Sequence, residues 1–134
     1  MPQDAIYEFA INQVKKGRLD AFRSTRQRFI ERMKEEPGVS ADAALQSFFT
    51  MPGELETEVF IGVTEWDSAR DFGRARESLI ETPELEAYFA TFDQLAYLTL
   101  RPEDGEPFDL NELLVDGRVI EVAVRSPRSE KESD

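Results

Sequence analysis

The chain of 134 residues contains no cysteine and no histidine. Without thiols, disulfides, thiolate metal sites and a cysteine nucleophile are excluded, and the redox compartment stays open. Without imidazole, the commonest general base, the usual haem ligand and most zinc or non-haem iron sites are excluded as well. No apolar run approaches the ~18 residues that a membrane span requires. The segment "MPQDAIYEF" lacks the basic-then-apolar profile of a secretion signal. The expectation is a soluble cytoplasmic protein with no membrane partner. Tryptophan is nearly absent too: Trp66 is the only one.

What is present is charge, unevenly placed. The formal net charge is −12, yet Lys15 to Lys34 holds eight basic and two acidic residues, a local +6 that leaves −18 elsewhere. Such asymmetry favours attraction between an acidic face and a basic helix, in the same chain or in a second copy. It argues against nucleic acid, because a net −12 repels the phosphate backbone whose neutralisation supplies most of the affinity.

A chain of this length makes one domain that buries roughly two-thirds of its unfolded surface, here residues 1–124, followed by a polar tail over 125–134 expected to be disordered. "AIYEFAINQV" has period two and β-rich residues, which predicts a first strand. Leu19, Phe22, Phe29, Ile30 and Met33 then recur on one side of a helix that Pro37-Gly38 stops. Arg23, Arg26, Arg28 and Arg32 are read as its solvated face. Two apolar runs around Met51-Pro52-Gly53 predict a hairpin with a type II turn, its second arm Glu58 to Trp66. Ser68 caps a helix carrying Phe72, Ala75, Leu79 and Ile80 on one side. Thr82-Pro83 breaks it and starts a further turn, with Leu85, Tyr88, Phe89 and Phe92 as an apolar stripe. "QLAYLTL" is a fourth strand, and residues 109–124 predict a C-terminal β-hairpin around Asp116-Gly117.

Strand, helix, strand, strand, helix, strand is the α+β, ferredoxin-like βαββαβ plan: an antiparallel sheet with helices on one face. Three of the strands are apolar on both faces, so something must cover the second face. The expectation is a homodimer formed by sheet-on-sheet packing, extended by the C-terminal hairpin.

The element order, the doubly apolar sheet and "VTEWDSARDF" together resemble the antibiotic biosynthesis monooxygenase-like domains of the dimeric α+β barrel superfamily, over about residues 5–101. The resemblance implies a dimer with small-molecule pockets between each sheet and its helices. It also implies a monooxygenase that needs neither metal nor flavin and acts on a small aromatic or polyketide-like substrate. In such chemistry the substrate supplies the electrons, and the protein holds it dry and stabilises charge. The alternative is a non-catalytic, small-molecule-binding or stress-associated barrel with a filled interior. Haem-degrading relatives are set aside, since their iron-ligating histidine is missing and Ala75 stands where they carry a second tryptophan.

The residues assigned to catalysis on this reading are Asn12, Trp66 and Tyr97, with no cofactor. Asn12 matches a pocket amide of the family; its plain reading is a strand-end residue. Trp66 is either a wedge between strand and helix or a pocket wall. Tyr97 and Tyr7 offer phenols to a cavity or fill the core. Glu65 either ends its strand in water, which is the expectation, or is buried as a general base.

Overall fold

The computed structural model describes residues 4–50, 53, 55–106, 109–115 and 118–128. Its elements are β1 (Ile6–Val14), α1 (Leu19–Met33), β2 (Val39–Gln46), β3 (Val59–Trp66), α2 (Ala69–Leu79), α3 (Pro83–Phe89), β4 (Phe92–Leu100) and the single turn α4 (Leu110–Leu113). The four strands form one antiparallel sheet in the order β2-β3-β1-β4, which is the expected ferredoxin-like arrangement. Phe92, expected at the end of a helical stripe, opens β4 instead. Among the described residues no helix is long and apolar enough to cross a membrane.

The junctions follow from local chemistry. Ser68 accepts from the Asp71 backbone N–H at 3.1 Å and so caps α2. Thr82 does the same for Leu85 at 3.3 Å, with Pro83 in the first turn of α3. Gly38 lies at φ +101°, and a Cβ there would fall 2.4 Å from Cβ of Asp71. No other residue type lets the start of β2 pass so close to the first turn of α2.

Pairing places Ile6, Glu8, Ala10, Asn12 and Val14 of β1 beside Trp66, Thr64, Gly62 and Phe60 of β3, on the face under the helices. The large side chains stand at the two ends. Ile6 and Trp66 pack with Met33, Ala75 and Leu79, while Val14 and Phe60 pack with Phe22, Tyr88 and Phe92. Between them the two central strands offer only Ala10 opposite Gly62. The helices pack on the two ends of the sheet and arch over its middle. On β4, Asn12 pairs with Gln94 but Ile11 with Ala96, so Leu95 is an extra residue, a β-bulge.

The opposite face departs from expectation. Asp109 caps one turn of helix through Asn111 N–H, where the first arm of a hairpin was predicted. Residues 118–128 join no ladder, and neither Asp116-Gly117 nor most of the Met51-Pro52-Gly53 turn falls within the described residues. Of the tail, 125–128 are exposed and without regular structure, and the remainder also lies outside the description. Leu110 is 3% exposed and its N–H donates to Glu65 Oε1 at 3.4 Å, so this C-terminal segment lies over part of the second face. Glu65 is therefore buried at 3%, not in water. Ser40 also donates to it at 2.7 Å. Tyr7, its partner across the ladder, is buried beside it.

Candidate functional site

The space between the middle of the sheet and the helices is a cavity of about 280 Å³, near the lower end of the ~300–1,000 Å³ range of small-molecule sites. Its floor is Ala10 and Gly62, and its roof comes from Phe29 and Ile30 of α1, Phe72 and Leu79 of α2, and Leu85 and Phe89 of α3. Asn12, Trp66 and Tyr97 all line it. Tyr7 and Glu65 do not, because alternation along their strands turns them to the other face.

Into this apolar chamber project two polar clusters. At one end stands Glu8, which the sequence reading passed over. Its Oε1 accepts from the Trp66 indole N–H at 3.2 Å, and its Oε2 accepts from the Tyr97 hydroxyl in a short hydrogen bond. Trp66 is 2% exposed and meets Phe72 edge-on at 5.8 Å, so it is both wedge and wall. Tyr97, 37% exposed, stands at the mouth. Burial, then the negative charge of Glu8 and the bond to it, push the Tyr97 phenol above the usual tyrosine range despite the opposing Arg76 charge. Tyr97 is thus held as a neutral donor.

At the other end Arg26 reaches under α1 to Asp42. Its Nη2 lies 3.1 Å from Asp42 Oδ2, and Thr64 donates to Oδ1 at 2.8 Å. The expected solvated face of α1 is thus wrong for Arg26, whereas Arg32 does pair in water with Glu36 at 2.8 Å. Arg26 sits four residues after Phe22 and three before Phe29, which puts it on the apolar face of the helix. That spacing was the available signal. The guanidinium lies over Gly62, where a Cβ would sit in ordinary van der Waals contact, 3.6 Å from Arg26 Nη2.

Asn12, 1% exposed, lies beside this pair. Its Oδ1 is a buried acceptor with no hydrogen-bond partner among the described residues. Buried polar atoms are rarely left so, because the desolvation penalty is ~1–3 kcal/mol. Burial also pushes the neighbouring Tyr88 phenol up, opposed by the Arg26 guanidinium and the Asn12 amide. The site therefore combines a neutral phenol donor, a carboxylate, an indole donor and an unpaired amide oxygen around an apolar slot.

No family model and no curated protein matches the sequence. Solved structures do match. SnoaB, a cofactor-independent oxygenase from Streptomyces nogalater, superposes with a TM-score of 0.59 at 16% identity, over 74% of this chain and 93% of SnoaB. A protein of Bordetella bronchiseptica, named provisionally as an antibiotic biosynthesis monooxygenase, gives 0.60 at 15% identity over 74% and 97%. The fold is that of the antibiotic biosynthesis monooxygenase-like proteins. A conserved protein from Methanosarcina mazei Go1 shares the fold of this chain, with a TM-score of 0.62 at 19% identity over 74% and 93%. At such identities the likeness is one of architecture.

Proposed function

We propose that the chain is a cofactor-independent monooxygenase of a small aromatic or polyketide-like substrate. The observation that carries this is the convergence of Asn12, Trp66 and Tyr97 on one apolar cavity in which Asn12 Oδ1 lacks a partner. An aromatic O–H or N–H placed in the slot supplies that partner. SnoaB, with the same fold, is described as a cofactor-independent oxygenase, which supports the reading. The chemistry balances without a cofactor. A ring CH₂ beside a carbonyl loses a proton, the resulting anion passes an electron to O₂, and the radical pair joins into a hydroperoxide anion. Reprotonation and loss of water leave C=O, with one oxygen atom in the product and one in water. The protein's part is to exclude water, orient the ring and stabilise the anion through fixed donors.

Titration of Trp66 fluorescence with reduced polycyclic phenols under nitrogen, followed by admission of oxygen, tests this. Saturable quenching and then oxidation faster than in buffer are expected. Ala10→Leu fills the floor and should weaken binding at least tenfold, ~1.4 kcal/mol, with the fold intact. Binding without accelerated oxidation would leave a non-catalytic binder; undiminished binding by Ala10→Leu would place the ligand elsewhere.

The same reading includes a homodimer through the second face of the sheet, where Phe9, Ile11, Ile61 and Leu98 stay only half-buried and Leu95 is exposed. Light scattering at micromolar concentration should give twice the chain mass of 15.3 kDa. A monodisperse monomer would show that the C-terminal segment alone suffices as cover.

A further inference from the structure

Four groups able to accept a proton line the cavity: Glu8, Asp42, Tyr88 and Tyr97. Both phenols are pushed up by burial and remain protonated. Asp42 is occupied on both oxygens, by the Arg26 guanidinium and the Thr64 hydroxyl. Glu8 differs from it. Its two donors, an indole and a phenol, are neutral, and no ion pair among the described residues involves it. Each of its oxygens keeps a lone pair for a further hydrogen.

We propose that Glu8 is the catalytic base of this cavity, taking the acidic C–H or O–H proton of an enolisable aromatic ketone or phenol; the role rests on the monooxygenase reading. The Tyr97 phenol on Oε2 already has the chemistry of such an acid, an aromatic O–H directed at the carboxylate. Standing at the mouth, it is the group a ligand displaces or stacks beside. In the step itself a Glu8 oxygen forms a bond to hydrogen. The C–H electron pair stays with the ligand and delocalises onto its carbonyl oxygen as an enolate. Trp66 keeps the carboxylate in place as the proton arrives, so the indole N–H is a positioning group.

The bland alternative is that Glu8 only ties Trp66 to Tyr97. Glutamine keeps one acceptor oxygen for that task but cannot take up a proton, so Glu8→Gln separates the two roles. The probe is anthrone in deuterated buffer under nitrogen, with exchange of its methylene hydrogens followed by NMR and binding followed by Trp66 quenching. The wild-type protein should accelerate exchange. Glu8→Gln should lose at least ~100-fold of that acceleration, the usual scale of a general base, and still bind. Glu8→Asp should restore part of it.

Exchange by Glu8→Gln within a few-fold of wild type would overturn the assignment. So would a wild-type protein that binds anthrone without accelerating exchange. Exchange needs no oxygen, which keeps the two ideas apart. A protein that exchanges under nitrogen but consumes no oxygen in air retains the base and loses the monooxygenase. One that oxidises anthrone equally well with Gln at position 8 retains the monooxygenase and loses the base. Failure of the wild-type protein to bind anthrone counts against both.

Discussion

Trp66→Ala should lower the free energy of unfolding by about 3 to 5 kcal/mol, the scale for truncating a fully buried aromatic. Trp66 is 2% exposed, packs with Ile6, Met33, Ala75 and Leu79, and meets Phe72 edge-on. Its loss removes the large side chain on which both α1 and α2 rest at that end of the sheet. It also removes the N–H donor to Glu8 Oε1. Against a total stability of ~5–15 kcal/mol for an ordinary domain, that is about a fifth or more. Urea denaturation followed by circular dichroism measures it, since the fluorophore is gone. Trp66→Phe should fall between, because it keeps most of the packing and loses the hydrogen bond. An alanine variant within about 1 kcal/mol of wild type would mean that the helices collapse onto the sheet and that Trp66 is wall rather than wedge.

Arg26→Met should cost about 3 kcal/mol, the low end for breaking a buried ion pair. The side chains of Arg26 and Asp42 are 16% and 4% exposed, so removing the guanidinium leaves a carboxylate with the Thr64 hydroxyl as its remaining side-chain donor among the described residues. Water entering the cavity tempers the penalty. The double variant Arg26→Met with Asp42→Leu should recover most of the loss, because replacing both charges removes the unpaired one. Equal loss in the single and double variants would show that the pair contributes through packing rather than charge.

The sheet and its helices were legible because period two and period 3.6 are set by single segments. Val59–Trp66 alternates, and Ser68 and Thr82 advertise helix starts whatever lies around them. Asn12 could be picked through the family resemblance, and Trp66 and Tyr97 as amphipathic groups at apolar positions. The cavity itself could not be read, because it depends on Ala10 facing Gly62, a register between strands fifty residues apart. Glu8 did leave a trace, a charge on a strand face otherwise formed by Ile6, Ala10, Asn12 and Val14. The C-terminal misreading had a visible antidote as well. Asp109 followed by Glu112 is the spacing of a helix cap, and it outweighs the β-leaning residues after it.

The bulge at Leu95 makes one corner of the site a matter of counting. Side chains alternate between faces of a sheet, so one extra residue reverses every side chain beyond it. Here the extra residue sends Tyr97 toward Ala10 and the cavity, and Leu98 toward Phe9 on the other face. Flattened into regular pairing over the same residues, the strand would set Ala96 opposite Ala10 and Leu98 opposite Glu8 and turn Tyr97 to the other face, whereas deleting one residue between Gln94 and Tyr97 would absorb the bulge and leave the phenol in place. Whether a descendant of this chain keeps a phenol at its gate therefore turns on whether the bulge itself is kept at constant strand length. Position numbers in a sequence alignment would miss the change.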